Sequence, residues 1–255
     1  IINSIDYGGA EIGMIRLLSE LEPTEFDVTI VTLQRSVPDL ISKLPDHVSV
    51  HELGIDSKIE LHKLIPLRKI ISKSDILVCS LFHSVVAGSI IGSTLFRSPK
   101  IYSWRHNTDS VQGLRKLLYS ISYYLSDGIL VDSESTKELV LNWGINERRI
   151  SVLPLAGVDI DEYPSVNDYT SKGKIRIGTV ARLLKQKGYP ELIKCAEKLP
   201  DYEFHIIGDG PLSEMVQQSP DNVISHGRVS QDELQRLWGT FDIYFQPSRY
   251  EGLCI

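Results

Sequence analysis

Two basic residues, Arg182 and Lys187, lie where the sequence predicts the edge of a sheet. Residues 174–188 read KIRIGTVARLLKQKG, and the apolar residues at the start of this stretch predict a strand. Pro190 fits the first turn of a following helix. Open α/β sheets bind ligands where their strands end and their helices begin. The two cations could therefore hold a diphosphate, and a solvated basic loop without a ligand is the alternative.

A pair of glycines, Gly8 and Gly9, follows the first apolar segment of the chain. Paired glycines permit a tight turn and the close approach of a ligand to the backbone. They are also common in turns that bind nothing. The order of Gly8, Gly9 and Gly13 does not match the G-x-G-x-x-G fingerprint, so it does not support a dinucleotide site.

A histidine, His106, lies in the sequence WRHN (104–107), directly after a predicted strand. A side chain at the carboxyl end of a strand is well placed to line a site. His106 could hydrogen-bond a sugar hydroxyl or a phosphate, and a loop histidine with satisfied hydrogen bonds is the alternative. His83 also follows a predicted strand, and for it the structural interpretation is favoured.

The elements that would position these residues alternate between strands and helices. Apolar runs predict strands at residues 1–5, 27–33, 48–53, 76–79, 100–104, 128–131, 175–180, 202–207, 222–225 and 242–246. This alternation predicts an α/β fold built on doubly wound parallel sheets. The polar stretch 162–174 contains proline and glycine and predicts the boundary between two domains, 1–165 and 166–255.

Several helix boundaries can also be predicted. Ser135 to Glu138 and Ser230 to Glu233 have the capping-box pattern of a helix start. A helix is predicted over 59–73, interrupted by Pro66. In the helix predicted after Ser230, Leu234, Leu237 and Trp238 are expected to face the core.

The segment 111–125, VQGLRKLLYSISYYL, combines two basic residues with many aromatic and aliphatic ones. One interpretation is a helix on a membrane surface or against a lipid acceptor. The other is a core helix with Arg115 and Lys116 on its solvent-exposed side. The core interpretation is favoured, because two basic residues are too few to anchor a protein.

Composition excludes some classes of protein. The chain has 42% hydrophobic residues, enough for sizeable cores, and its net charge of −6 argues against a general nucleic-acid binder. No apolar run approaches the ~20 residues of a membrane span. Cys79, Cys195 and Cys254 lack metal-ligand spacing. Since each lies in an apolar pattern, buried free thiols in a reducing cytoplasm are expected.

Four stretches of the sequence together resemble the motifs of one enzyme family. They are GGAE (8–11), GTVARLLKQKG (178–188), IIGDGP (206–211) and PSRYEGLCI (247–255). In this order and spacing they resemble the retaining glycosyltransferases of family 4. The resemblance implies the GT-B fold, in which two Rossmann-like domains with doubly wound parallel sheets face each other across a cleft. Residues 1–165 would form the acceptor-side domain and residues 166–255 the donor-binding domain.

The resemblance also assigns roles to residues. Arg182 and Lys187 would bind the donor diphosphate, and Glu251 would accept hydrogen bonds from sugar hydroxyls. His106 would contact the donor sugar. The remaining donor-binding residues would be Gly8, Gly9, Gly208, Arg228, Val229, Gly252, Leu253 and Cys254.

The implied reaction moves a hexose from a nucleoside-diphosphate sugar to an acceptor hydroxyl with retention, in bacterial polysaccharide or glycan synthesis. The leaving diphosphate gains negative charge, which fixed cations and backbone amides would stabilise. No metal is expected, and the D-x-D pair Asp159 and Asp161 is rejected as a metal site because it lies in a linker context. Ala156 stands where the family usually has asparagine, so the local turn is expected to differ.

The expected partners are the nucleotide-sugar donor and a glycan or lipid-linked acceptor, without nucleic acid. The expected location is cytoplasmic, with at most a weak peripheral contact at the inner face of the membrane. The chain is expected to be truncated at both ends, since the second glutamate of the family motif would fall at position 259. Two alternatives stay open: a nucleotide-binding module without transfer activity, and a nucleotide-sugar epimerase or dehydrogenase. The latter would need the dinucleotide fingerprint and a Tyr-x-x-x-Lys pair.

Overall fold

The structure, a computed structural model, describes residues 1–56, 60–108, 111–154 and 173–251. The chain forms two compact units, Ile1–Val158 with Glu251–Ile255, and Asp159–Tyr250. The predicted boundary at residue 165 lies outside the described residues, as do Ala156, Asp159 and Asp161.

The first unit alternates strands and helices along the chain. Its strands are β1 Thr29–Thr32, β2 Ser49–Glu52, β3 Ile76–Ser80, β4 Lys100–Arg105, β5 Gly128–Val131 and β6 Ile150–Val152. Its helices are α1 Gly9–Ser19, α2 Pro38–Ile41, α3 Ile65–Ile71, α4 Phe82–Ser93, α5 Gly113–Leu125 and α6 Glu134–Leu141. Short 3₁₀ helices occupy Leu61–Leu64 and Glu147–Arg149.

The strands of the first unit pair in parallel on either side of residues 1–5. β1 pairs with β2, and β3, β4, β5 and β6 pair in that order. Ile2 donates its N–H to the Val31 carbonyl at 3.0 Å, and the Ile1 carbonyl accepts from Ser80 N at 2.8 Å. The predicted first strand therefore lies between β1 and β3. The strand order reverses at this point, as it does in dinucleotide-binding α/β sheets.

Helices cover both faces of this sheet. Ile30 and Val31 are consecutive in β1, so their side chains point to opposite faces. Ile30 packs in a cluster with Ile15 of α1 and Leu40 of α2. Val31 packs in another cluster with residues of α3 to α6, including Leu67, Val85, Tyr123 and Val140. The predicted doubly wound parallel sheet is confirmed.

The second unit repeats the same architecture on a smaller scale. Its strands are β7 Arg176–Val180, β8 Glu203–Ile207, β9 Val223–Gly227 and β10 Ile243–Tyr244, and its helices are α7 Tyr189–Lys198, α8 Ser213–Gln217 and α9 Gln231–Trp238. A short 3₁₀ helix occupies Lys185–Lys187. All strand pairings are parallel, in the order β10-β7-β8-β9.

Helix α7 shows why the sequence folds in this way. Pro190 lies in its first turn, as predicted, where a proline costs no backbone hydrogen bond. Tyr189, Leu192 and Ala196 are fully buried at helical spacing. They pack in the core of the unit with Phe204 and other residues of the sheet.

Two helix starts differ from the prediction. The cap of α6 is Ser133, whose side chain accepts from Thr136 N, and not Ser135. The helix begins earlier because β5 already ends at Val131. Pro66 does not interrupt a helix, since it lies in the first turn of α3.

The start of α9 is as predicted, since Ser230 accepts from Glu233 N. Its apolar residues Leu234, Leu237 and Trp238 are only half-buried. Trp238 packs against the rings of Phe241 and Tyr244.

The cysteine prediction holds for one residue of the two described. Cys79 is buried in β3, and its burial raises the pKa of the thiol to about 11. Cys195 is exposed on α7, because it lies outside the helix face that carries Leu192 and Ala196. Cys254 lies outside the described residues.

Helix α5 is a core helix with Arg115 and Lys116 exposed, as the favoured prediction expects. Arg115 also lies 4.8 Å from the Phe82 ring centroid, and Lys116 lies 5.6 Å from that of Trp143. The exposed side carries in addition the apolar residues Leu114, Leu117, Ile121 and Tyr124. The aromatic side, with Tyr119 and Tyr123, faces the core.

No helix within the described ranges is long and apolar enough to cross a membrane.

Candidate functional site

The carboxyl ends of β7 and β10 form the point at which the strand order of the second sheet reverses. Open α/β sheets bind ligands at such a point. Arg182 lies in the loop after β7, and Lys187 ends the 3₁₀ helix that leads into α7. The structure therefore brings these two predicted residues to one sheet edge.

Close backbone contacts hold this edge together. A Cβ atom on Gly188, whose φ is +75°, would lie 1.9 Å from the Pro247 carbonyl oxygen. A Cβ atom on Gly208, with φ of +141°, would lie 2.0 Å from the Ala181 carbonyl oxygen. Neither position can accept a side chain without moving backbone atoms. The loops after β7, β8 and β10 thus touch one another through glycines.

Hydrogen bonds between these loops reinforce the contacts. Leu183 N donates to the Asp209 carbonyl at 2.9 Å, and Arg249 N donates to the Gln186 carbonyl at 2.7 Å. The Tyr189 hydroxyl donates to the Ala181 carbonyl at 2.9 Å, and burial raises the pKa of that hydroxyl. The backbone that carries Arg182 is therefore fixed from three sides.

Arg182 itself is exposed, and no carboxylate pairs with it in the part of the chain that the structure describes. A cation with this freedom can meet an anionic ligand without first breaking an ion pair. Lys187 is partly buried and has contacts within the protein. Arg182 is thus the more accessible of the two candidate phosphate ligands.

The loop after β9 carries the predicted residues Arg228 and Val229. Gly208 N donates to the Gly227 carbonyl at 2.8 Å, which joins this loop to the loop after β8. Hydrogen bonds from the Ser213 hydroxyl and from Gly210 N lower the pKa of Asp209, and the nearby charge of Arg228 acts in the same direction. The edge therefore carries an ionised carboxylate next to its cations.

In the first unit, the strands β3, β4 and β5 bring together Ser80, His106 and Asp132 at their carboxyl ends. The Ser80 Oγ lies 2.6 Å from His106 Nε2, and Asp132 Oδ2 lies 2.9 Å from His106 Nδ1. Asp132 also accepts from Trp104 Nε1 at 2.7 Å. All of these side chains are buried, with the imidazole 8% and the carboxylate 3% exposed.

This arrangement fixes the imidazole of His106. A carboxylate only accepts hydrogen bonds, so Nδ1 carries a proton, and Nε2 lies within hydrogen-bond distance of the Ser80 hydroxyl. The connectivity is that of Ser-His-Asp triads in acyl transfer. Here Ser80 is buried, which leaves little room for a substrate at its Oγ. The geometry is therefore suited to positioning His106.

Arg105 supports the loop that follows His106. Its side chain is almost completely buried and lies 4.7 Å from the Tyr119 ring centroid and 5.5 Å from that of Trp143. Its Nε donates to the Asn107 carbonyl at 2.9 Å. The backbone of Asn107, directly after His106, is thus held by a buried cation among aromatic rings.

The glycine loop lies where the order of the first sheet reverses. Gly8 is the N-cap of α1 and Gly9 is the first residue of that helix. Close by in the sheet, Asn3 Oδ1 accepts from both the backbone N–H and the hydroxyl of Ser84. Leu81, the N-cap of α4, has φ of +70°, and no other non-glycine residue among those described has a positive φ. Such a conformation costs about 1–3 kcal/mol and clusters at functional sites.

The last predicted site residues lie at the end of the chain. Glu251 is half-buried, belongs to the first unit, and its carbonyl accepts from the Thr108 hydroxyl at 2.8 Å. Gly252, Leu253 and Cys254 lie outside the described residues. Within the described ranges, no group of three or more histidine, cysteine, aspartate or glutamate side chains could hold a metal ion.

Ser80 and Asp132 were not predicted from the sequence as site residues. A usable signal was present, because each is the first polar residue after a predicted strand, 76–79 and 128–131. His106 is the second polar residue after the predicted strand 100–104, behind Arg105. Comparing the polar residues that follow neighbouring strands would therefore have included all three.

We expect the substitution Asp132→Asn to lower the free energy of unfolding by about 2–3 kcal/mol. The change removes a buried charge that accepts hydrogen bonds from Trp104 and His106. Urea unfolding measures the effect, with Glu138→Gln on the exposed side of α6 as the control. Equal stability of the two variants would show that Asp132 does not hold His106 in place.

Comparison with known proteins agrees with this arrangement of sheets and loops. The sequence profile of "Glycosyltransferase Family 4" matches residues 7–162, and that of "Glycosyl transferases group 1" matches residues 165–255. A GDP-mannose-dependent alpha-mannosyltransferase of Corynebacterium glutamicum is 29% identical over 87 residues, which is 33% of this chain and 20% of that protein. A glycogen synthase of Kosmotoga olearia is 25% identical over 129 residues, which is 45% of this chain and 25% of that protein.

Solved structures show the same fold. Anabaena HepE in complex with UDP and glucose has a TM-score of 0.74 at 18% identity, over 97% of this chain and 73% of that one. A glycosyltransferase from Rickettsia africae has a TM-score of 0.71 at 19% identity, over 97% of this chain and 72% of that one. Because the family 4 profile matches more than half of the sequence, the chain belongs to glycosyltransferase family 4, with the Rossmann-like sheets of the GT-B fold.

Proposed function

We propose that this chain carries the donor site of a retaining glycosyltransferase that transfers a hexose from a nucleoside-diphosphate sugar to an acceptor hydroxyl, in the synthesis of a bacterial glycan. The proposal rests on Arg182, which pairs with no carboxylate among the described residues and lies on a loop fixed at the reversal point of the second sheet. A similar protein supports the proposal, because Anabaena HepE was solved in complex with UDP-glucose.

Arg182 and Lys187 bind the diphosphate in this proposal. As the glycosidic bond breaks, negative charge accumulates on the leaving phosphate, and preorganised cations stabilise it without moving. The glycine contacts of Gly188 and Gly208 keep the loop in place before the donor arrives. Arg228 and Val229 contribute from the neighbouring loop, where the nucleobase lies.

The first unit contributes His106 and the glycine loop of Gly8 and Gly9. His106 contacts the donor sugar, and Asp132 and Ser80 set the orientation of its ring. Glu251 accepts from sugar hydroxyls, and the amides of residues 252–254 complete the donor contacts. The acceptor is a glycan or a lipid-linked glycan, and transfer needs no metal.

Isothermal titration of the chain with UDP, GDP, ADP and NAD tests the donor site. We expect saturable binding of one nucleoside diphosphate and none of NAD, because the dinucleotide fingerprint is absent from the glycine loop. Binding of none of the three diphosphates would contradict the proposal. A turnover assay then uses a nucleotide sugar that carries the base identified by the titration. This assay separates transfer from binding alone. The anomeric proton of the product, observed by NMR, reports retention.

A further inference from the structure

A groove whose lining contains none of the residues of the proposed donor site combines cations with exposed apolar side chains. It is lined by α3 and by the turn after α4 and has a volume of about 530 Å³. We call it the basic groove and define it by Ile65, Arg68, Lys69, Phe96 and Arg97. The two apolar members are strongly exposed, Ile65 at 71% and Phe96 completely. Water is an unfavourable environment for both of them.

No carboxylate in the part of the chain that the structure describes neutralises the cations of the basic groove. Arg68 donates to the Thr94 hydroxyl at 3.2 Å, which is a neutral partner. Arg68, Lys69 and Arg97 form no ion pair with any carboxylate in the described ranges, and no lining residue of the groove is acidic. The whole chain has a net charge of −6, so the local charge of the groove is opposite in sign to that of the chain.

Apolar exposure continues over the helices beside the groove. Helix α4 packs against both α3 and α5. Ile90 of α4 is 40% exposed, and Ile121 and Tyr124 of α5 are also exposed. A small soluble anion would meet the cations and leave these apolar side chains in water. A bilayer offers anionic headgroups and, directly beneath them, an apolar layer.

We propose that the basic groove binds the surface of an anionic lipid bilayer, with Phe96 inserted between the headgroups and with Arg68, Lys69 and Arg97 on the lipid phosphates. The inference rests on the first unit alone and stands whether or not the second unit binds a nucleotide sugar. It would hold the chain at the membrane as a peripheral protein.

Co-sedimentation with sucrose-loaded vesicles tests the proposal. One set contains phosphatidylcholine alone, and the other contains phosphatidylcholine mixed with anionic phosphatidylglycerol. We expect the chain to sediment with the mixed vesicles only, and to be released by salt, since the attraction between charges is screened. Equal binding to both sets, or binding to neither, would overturn the proposal.

Two variants and a matched control assign the binding to the groove. The triple variant Arg68→Gln/Lys69→Gln/Arg97→Gln is expected to lose at least tenfold in partitioning, since each cation near an anionic surface contributes about fivefold. Phe96→Ser is expected to lose about fivefold. The control, Lys43→Gln/Arg148→Gln/Lys198→Gln, makes the same change in net charge at exposed positions elsewhere.

Circular dichroism of each variant confirms that it is folded. If the control lost binding as strongly as the groove variant, net charge alone would explain the attraction and the proposal would fail. If Phe96→Ser bound like the unchanged protein, insertion at the groove would be refuted.

Discussion

Replacing Arg182 with alanine is expected to weaken binding of a nucleoside diphosphate by a factor of ten or more. A charge-assisted hydrogen bond to phosphate is worth ~1.5–3 kcal/mol, and each 1.4 kcal/mol corresponds to a factor of ten. Arg182 is exposed on a fixed loop, so its removal should leave the fold unchanged. Isothermal titration with the diphosphate that binds best measures the effect, and Lys187→Ala should act in the same direction.

Arg236→Ala is the matched control for Arg182→Ala. Arg236 is an exposed arginine of the same unit, on α9, and pairs with Glu233 at 3.5 Å. Its removal makes the same change in net charge and should alter the dissociation constant less than twofold. If both variants weakened binding equally, the cation on the loop after β7 would have no special role. Unchanged binding in Arg182→Ala would refute the phosphate assignment directly.

Gly188→Ala should destabilise the second unit by about 3 kcal/mol or more. Alanine at φ of +75° is strained by about 1–2 kcal/mol, and its Cβ would in addition lie 1.9 Å from the Pro247 carbonyl oxygen. The contact is with backbone, so it cannot be relieved by rotating a side chain. Urea unfolding, monitored by hydrogen exchange in peptides that contain β7, measures the loss of stability.

Gly227→Ala separates the two causes. Gly227 also has a positive φ, +64°, but nothing lies within 4 Å of the position of its Cβ. It should therefore show the conformational cost of about 1–2 kcal/mol without the clash. Equal losses in the two variants would mean that the loops after β7 and β10 can separate at little cost. Gly188 would then not be needed to shape the edge that carries Arg182.

Much of the fold could be predicted because parallel strands buried on both faces are short apolar runs. The run 128–131 coincides with β5, and 76–79 differs from β3 by one residue. The error at α6 has a local cause, since Ser133 and Ser135 are both potential caps. The choice between them depends on the length of the turn after β5. The pattern of apolar residues does not determine that length.

The orientation of α5 could not be predicted for a different reason. The helical spacing of its apolar residues gives one aliphatic side and one aromatic side, and either side could face the core. The structure buries Tyr119 and Tyr123, and the rings of Tyr119 and Trp143 lie against the guanidinium of Arg105. That choice depends on a buried cation from another strand, and a period along one helix cannot reveal it.

The candidate site was predictable only as single residues. Arg182, Lys187 and His106 follow strands, so their location at sheet edges could be inferred from the sequence. Their surroundings could not, because Ser80 and Asp132 reach His106 from strands 26 residues away in each direction. The proposed roles of these residues remain predictions that the variants above test.

The central location of residues 1–5 has a consequence for the order in which the first unit folds. This segment precedes the other strands along the sequence, yet the backbone nitrogen of Ile1 donates to the carbonyl of Val78, 77 residues later in the chain. Pairing over such a distance carries a large entropic cost, and contacts between distant residues slow folding. Until β3 has been made, one side of the segment has no neighbouring strand. The middle of this sheet is therefore completed late, after local pairs such as β1 with β2 can already have formed.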